Sequence, residues 1–100
     1  MLMSDAGGAA DLVNSTLTFD AVGSTLLPNS SQISSGTYLP TNYGSTDPFG
    51  APAPVAPFGT SLGALTGVSP NGAWQLFLRD DYAADRGSIT SGWELTITTN

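Results

Sequence analysis

Residues 70–97 read PNGAWQLFLRDDYAADRGSITSGWELTI, and they contain two alternating segments on either side of a polar loop. The apolar positions are Trp74, Leu76 and Leu78 in the first segment and Trp93, Leu95 and Ile97 in the second. Each set falls on one face of an extended chain, because successive side chains of a strand point to opposite sides. This alternation is typical of an antiparallel pair with one face in the core and the other in water. The stretch therefore predicts a β-hairpin whose two tryptophans pack in the core.

The loop between the two segments carries three carboxylates, which belong to Asp80, Asp81 and Asp85. Residues 80–88 are too polar to bury, so we expect them at the surface. Gly87 stands where a backbone with positive φ is expected, since glycine adopts that conformation without steric cost.

The order and spacing of these residues resemble a known family. The string consists of Asn71-Gly72, Trp74, Leu76, Asp80-Asp81, Asp85, Gly87, Ile89, Trp93, Leu95 and Ile97. It is similar to the end of the P domain, also called Homo B, the β-sandwich that follows the catalytic domain of subtilisin-like proprotein convertases. P domains also occur alone or in arrays in secreted bacterial proteins. The similarity is strongest over the last third of the chain and extends upstream through residues 1–8, 17–20, 35–40 and 47–49.

The resemblance implies an all-β fold, an antiparallel β-sandwich that is jelly-roll-like (galactose-binding-like), with residues 1–100 in a single domain. Family members usually carry several strands before the segment that matches Met1, and this chain lacks those strands. We therefore expect an N-terminally shortened P domain, roughly the C-terminal two-thirds of the usual one. A sheet edge left uncovered in this way favours marginal stability or self-association by edge pairing.

Short strands are predicted upstream of the hairpin at residues 1–4, 15–20, 36–39 and 61–65, and no segment has a helical period. In the second of them, Leu17 and Phe19 are expected to face inward and Thr18 outward. Turn chemistry surrounds these strands, at residues 5–8 and most clearly at residues 28–31.

Residues 41–59 hold four of the seven prolines, which favour an extended polyproline conformation at residues 51–54. One interpretation is a linker between two domains. Phe49 and Phe58 bracket the prolines, however, and such aromatic anchors favour an ordered loop that lies across the sandwich.

Composition restricts the possible partners. Charged residues make up only 10% of the chain, and the net charge is -6, with Arg79 and Arg86 the sole basic residues. Nucleic acid is a poor partner, because phosphate binding needs Lys and Arg to displace counterions. Membrane insertion is not expected, since the apolar stretches are far shorter than the roughly twenty residues of a spanning helix. Residues 1–3 do not resemble an export signal, so a secreted module of this kind would have its signal upstream in a longer precursor.

Catalysis is not expected. The chain has no His, Cys or Lys, which removes the usual general base near neutral pH, the thiolate nucleophile and the Schiff-base amine. A Ser-His-Asp triad cannot form within the chain. A pair of carboxylates working as in glycosidases remains open for Asp80, Asp81 and Asp85, although an exposed loop offers little pocket.

The same three aspartates are the candidate calcium ligands, because calcium takes six to eight oxygens from carboxylates, carbonyls and water. The spacing is not that of an EF-hand loop. The alternative is that Asp80 or Asp81 accepts backbone N–H groups to shape the turn, with Arg79 or Arg86 offsetting the charge. Asp5 and Asp11 form a second possible oxygen site.

Exposed aromatic faces bind sugars in carbohydrate-binding modules, but the alternation around Trp74 and Trp93 predicts core packing instead. Tyr82 and Tyr43 are the better candidates for a ligand contact, with loop anchoring as the alternative. Two sequons, at residues 14–16 and 29–31, matter only in a host with the glycosylation pathway.

The function expected from the sequence is a non-catalytic accessory module of a secreted or cell-surface bacterial protein, of the kind attached to subtilisin-like serine proteases. Its partner would be an upstream catalytic or surface domain. The second expectation is a calcium-stabilised module that binds a carbohydrate or a protein. A free-standing enzyme is the third, and it requires that a partner supply the base.

Overall fold

The computed structural model describes residues 1–44 and 47–99. The strands are β1 (Met3–Ser4), β2 (Leu17–Phe19), β3 (Gly36–Tyr38) and β4 (Thr41–Asn42), and a single-turn 3-10 helix spans Leu62–Leu65. Strand β1 pairs with β4, and β2 pairs with β3. The upstream strands predicted near residues 3, 17 and 36 are therefore confirmed, although each is shorter than expected. This composition of short strands and a single helical turn is compatible with an all-β fold.

Both strand pairs are parallel, whereas the sequence predicted antiparallel pairing. Leu17 lies opposite Gly36 and Phe19 opposite Tyr38, so the chain must return across the pair through residues 20–35. Parallel strands need such a crossover of a dozen or more residues, because a two-residue turn can only reverse the chain. The crossover itself is bonded to the sheet, since the N–H of Leu39 donates to the carbonyl of Thr25 at 2.8 Å.

The buried core forms where this crossover packs against the strands. Its apolar members are Leu27, Ile33 and Tyr38, and the half-buried residues Met3, Ala6, Leu17 and Phe19 pack against them. In β2, Leu17 and Phe19 are half-buried while Thr18 is exposed, which confirms the predicted alternation. Leu27 is completely shielded from solvent, so the crossover supplies the centre of the core.

The polar groups near the core are satisfied by hydrogen bonds. The buried hydroxyl of Thr41 accepts the N–H of Leu27 at 3.1 Å and donates to the carbonyl of Leu39 at 2.8 Å. The hydroxyl of Tyr43 donates to the carbonyl of Leu27 at 2.6 Å. Both backbone groups of Leu27 are thus bonded to side chains of β4 and the residues after it, which matters because an unbonded buried polar group costs about 1–3 kcal/mol.

Two predictions about loops are wrong. Residues 61–65 were expected to be a strand, but i to i+3 bonds close a 3-10 turn there, from Ala64 to Ser61 at 3.3 Å and from Thr66 to Gly63 at 3.0 Å. The proline segment contains a turn rather than a continuous polyproline stretch, because the N–H of Ala53 donates to the carbonyl of Gly50 at 3.0 Å.

The aromatic residues that bracket the prolines do meet. The rings of Phe49 and Phe58 pack edge to face with their centroids 5.6 Å apart. This is the contact that anchors on both sides of an ordered loop should make, and an edge-to-face pair adds about 0.5–1.5 kcal/mol beyond the area it buries.

The hairpin predicted for residues 70–97 is not formed, since no strand is assigned within residues 66–99. Trp74 is 39% exposed and Trp93 is 52% exposed, so the prediction that they pack in the core is wrong. Positive φ occurs at Gly72 and Gly92 rather than at Gly87. An isolated two-stranded hairpin is marginal in water, and among the described residues none from 70–97 belongs to the core cluster.

The exposed area reflects this arrangement. The chain exposes 7799 Å², whereas a folded monomer of 10.2 kDa is expected to expose about 5,300 Å². The radius of gyration is 14.1 Å, compared with about 13 Å for a compact chain of this length. The chain therefore exposes more surface than a compact monomer of its mass, and its exposed large apolar side chains, from Trp74 at 39% to Val22 at 89%, contribute to that surface.

Candidate functional site

The acidic loop forms a local turn. The carboxylate of Asp80 accepts the N–H of Tyr82 at 3.1 Å, and the N–H of Asp85 donates to the carbonyl of Tyr82 at 3.1 Å. A side-chain oxygen that accepts the N–H two residues on is the usual way in which aspartate shapes a turn. Asp80 therefore has the turn-shaping role that the sequence offered as the alternative to calcium binding.

A cavity of about 250 Å³ lies beside β1. Its lining residues are Met1, Met3, Ser4, Asp5, Asp47, Pro48, Phe49, Arg79 and Asp81. The parallel pairing of β1 with β4 positions this cavity, because it places Ser4 beside Asn42 and directs the following chain back past β1. The bond from the N–H of Tyr43 to the carbonyl of Ser4, at 3.1 Å, extends that pairing by one residue.

The hydroxyl of Ser4 lies between two carboxylates. Its oxygen is 2.6 Å from Oδ2 of Asp47 and 3.0 Å from Oδ2 of Asp5. A hydroxyl carries a single hydrogen, so it can donate fully to only one of them. The shorter distance indicates that Asp47 is the acceptor.

Backbone conformation brings Asp5 to this position. Asp5 itself has φ of 52°, and its carboxylate lies directly against Gly44, where a Cβ would stand 2.7 Å from Oδ2. Gly44 also has φ of +87°. The positive φ favours glycine at position 44, and a Cβ there would also displace the Asp5 carboxylate from its present position.

A basic side chain reaches the same cavity. The guanidinium of Arg79 donates through Nη1 to the carbonyl of Pro48, so it ties the start of the acidic loop to the segment that follows β4. The cavity is therefore lined by carboxylates and a guanidinium, and Phe49 and Met3 supply its apolar wall.

The structure separates the predicted calcium ligands. Asp81 lines the cavity, whereas Asp80 and Asp85 do not. Asp5 is also at the cavity, but its proposed partner Asp11 is elsewhere, where the Asp11 carbonyl accepts the side chain of Gln32 at 3.0 Å. Within residues 1–44 and 47–99, no three carboxylates converge closely enough to hold a metal ion.

Sequence reasoning missed Ser4 and Asp47. They are 43 positions apart, and only the parallel pairing of β1 with β4 brings them together. That pairing has no local signal in the sequence, since each strand has two residues.

The aromatic residues divide into anchors and exposed groups. Tyr43 is a loop anchor through its bond to Leu27. Tyr82 is 67% exposed at the tip of the acidic loop. The indole N–H of Trp74 donates to the carbonyl of Pro70 at 3.0 Å, which holds its ring beside the chain while part of its face remains exposed.

Comparisons with known proteins give no family assignment: no family model matches the chain, and searches of curated proteins and of solved structures found no match. In the described part of the chain, no helix is long and apolar enough to cross a membrane.

Proposed function

We propose that this chain is a non-catalytic accessory module of a secreted bacterial protein, of the kind attached to subtilisin-like serine proteases. The resemblance of residues 71–97 to the end of the P domain supports this proposal. The upstream neighbour in the same polypeptide would be a catalytic or surface domain, and the proposed β-sandwich would be completed by strands from that region.

The single observation that carries the non-catalytic part is the surroundings of the Ser4 hydroxyl, which is the one hydroxyl among the described residues that line the cavity. Ser4 has carboxylates as neighbours, and the chain contains no His that could act as its base near neutral pH. The guanidinium of Arg79, which also lines the cavity, donates to the backbone carbonyl of Pro48 and not to the Ser4 hydroxyl. These contacts connect β1 to the segment after β4 and that segment to the acidic loop, which is a structural role.

The accessory role is tested by stability of the attached domain. The natural polypeptide is compared with a version that lacks residues 1–100, and the half-life of the neighbouring domain is measured at elevated temperature. We expect a clearly shorter half-life without the module. An unchanged half-life would contradict the accessory role.

The non-catalytic part is tested on the chain by itself. Peptide and glycoside substrates should give no turnover above that of buffer. Reproducible turnover that Asp47→Asn or Asp80→Asn abolishes would show that the chain is an enzyme.

A calcium-stabilised module that binds a carbohydrate or a protein is the second candidate. The observation that favours it is that the carboxylates of Asp5 and Asp47 both lie against the Ser4 hydroxyl, with Asp81 elsewhere on the same cavity wall. Carboxylate oxygens are the ligands calcium prefers. Because no three of them converge in the described residues, backbone carbonyls and water would have to complete its coordination. A ligand selective for the native state stabilises it by about 2.7 kcal/mol at a concentration a hundred times its Kd.

Calorimetry with millimolar calcium, and again with chelator, tests this candidate. The calcium candidate requires a rise in melting temperature that Asp81→Asn removes. Asp11→Asn is the matched control, because Asp11 is exposed and outside the cavity. An identical melting temperature with calcium and with chelator would sink the calcium role and would leave the accessory role untouched.

A further inference from the structure

Two segments near the C-terminus alternate in sequence between apolar and polar residues, and most of their apolar side chains are exposed. Segment A comprises residues 74–79 and segment B comprises residues 93–97. Neither segment pairs with a strand in the described part of the chain. The exposed fractions on these faces are 39% for Trp74, 69% for Leu78, 52% for Trp93, 45% for Leu95 and 43% for Ile97, whereas Leu76 is half-buried.

The surplus exposed area of the whole chain is as large as a protein interface. The chain exposes 7799 Å², about 2,500 Å² more than expected for a folded monomer of its mass. A standard interface buries about 800 Å² on each partner, and obligate dimers bury about 2,000–5,000 Å² in total. The excess belongs to the whole chain, and half of it would be sufficient for a stable dimer.

The two segments complement each other in antiparallel register. With Leu76 opposite Leu95, the same-face pairs are Trp74 with Ile97 and Leu78 with Trp93. On the other face, Phe77 lies opposite Glu94, and Arg79 is the diagonal neighbour of Glu94. Aromatic, aliphatic and opposite-charge pairs of this kind each contribute roughly 0.2–1 kcal/mol. The best partner for segment A is thus segment B.

The position of Arg79 favours a segment B from another molecule. Arg79 is tied to the carbonyl of Pro48, which holds the end of segment A against the body of the protein. A turn follows at residues 80–85, and all of residues 81–99 are exposed, so segment B is not packed against segment A within the described chain. The guanidinium retains further N–H groups for a carboxylate, because one bond to Pro48 does not exhaust its donors.

We propose that a second copy of this chain covers these faces, with segment A of each copy paired to segment B of the other. This reciprocal exchange is a two-fold symmetric interface in which the same surface serves on both copies. It joins the unpaired backbone of each segment to a neighbouring strand and removes two exposed edges at once. The dimer requires no metal, ligand or attached domain.

Sedimentation equilibrium of the chain provides the first test. We expect a dimer at micromolar concentration. Leu78→Asp should weaken association at least about a hundredfold, because each dimer buries this side chain at two places. Val22→Asp is the matched control, since Val22 is 89% exposed and lies outside both segments; it should leave the association constant within about threefold.

Charge reversal separates exchange from folding back within one chain. Arg79→Glu and Glu94→Arg each place like charges across the pairing, and each should weaken association about tenfold. In a mixture of the two variants, the exchanged heterodimer has opposite charges at both junctions, so mixing should restore association. A hairpin within one chain would gain nothing from mixing.

Recovery of dimer on mixing supports exchange. A monomeric wild-type chain, whether or not its strand content shows that the hairpin has closed within the chain, would overturn the proposal. So would dimerisation that neither charge variant weakens, or weakened association that mixing fails to restore.

Discussion

The hydroxyl of Thr41 accepts the backbone N–H of Leu27 at 3.1 Å, and so joins β4 to the one fully buried side chain of the core. Thr41 is itself only 3% exposed, so water cannot replace the bond. Parallel pairing brings β4 beside β1, and this bond brings the crossover down onto both strands. The core therefore depends on a polar contact at its centre.

Replacement of Thr41 by Val should destabilise the chain by about 1–3 kcal/mol, because the N–H of Leu27 would be buried without an acceptor. Thr41→Ser is the control, since it keeps the hydroxyl and loses a methyl group. Urea unfolding measures both. A negligible loss for Val together with a larger loss for Ser would indicate that the methyl group, and not the hydroxyl, carries the contribution.

Truncation of the core residue itself should be more severe. Leu27→Ala is expected to cost about 2–5 kcal/mol, the range for a fully buried Leu that leaves a cavity. The adjacent residue gives a matched control, because Leu26 is 52% exposed and Leu26→Ala should stay within about 0.5 kcal/mol of the wild type. In a chain of this size each kcal/mol shifts the melting temperature by about 4–8 °C, so thermal unfolding separates the two. Similar melting temperatures for both variants would place the core elsewhere.

The local parts of the fold were predictable from the sequence. Leu17, Thr18 and Phe19 alternate with a period of two, and that period determines which side chains face inward whatever strand lies beside them. Phe49 and Phe58 were recognisable as anchors because large aromatic rings on both sides of a proline segment gain most by packing together.

The parts that depend on distant partners were not predictable. The direction of pairing between β2 and β3 is set by the crossover, not by the three residues of either strand. Trp74 and Trp93 lie in alternating segments, but alternation shows only that one face is apolar. Alternation does not show what covers the apolar face. In the described part of the chain, the core cluster does not include Trp74 or Trp93, and both are exposed.

In the candidate site, too, local contacts were predictable from the sequence and contacts between distant residues were not. Asp80 was correctly seen as a possible turn former, since its bond reaches only two residues along the chain. Ser4 and Asp47 meet through pairing of two-residue strands far apart in sequence. The local sequence around Ser4 and around Asp47 does not predict that the two residues are in contact.

A steric prediction concerns the turn after β1. Gly8 has φ of +59°, and a Cβ there would lie 2.9 Å from the backbone of Ser30. Gly67 has φ of +82° with nothing within 4 Å, so alanine at either position pays for the left-handed backbone, about 1–2 kcal/mol. Gly8→Ala should be at least about 1 kcal/mol worse than Gly67→Ala, because it also pushes Ser30 away. Equal unfolding free energies would show that the turn at residues 5–8 does not pack against residue 30.

The final prediction concerns the single hydrogen of Ser4. A double-mutant cycle of Ser4→Ala with Asp47→Ala isolates their interaction energy, since the sites are in direct contact. The 2.6 Å distance to Asp47, compared with 3.0 Å to Asp5, favours a charge-assisted bond to Asp47. The expected coupling is about 1 kcal/mol after allowance for partial exposure. The same cycle with Asp5→Ala should give less than about 0.5 kcal/mol, because the hydroxyl has no second hydrogen to donate. A larger coupling to Asp5 would assign the hydrogen to that carboxylate and would remove the Ser4 side chain as a link between β1 and Asp47.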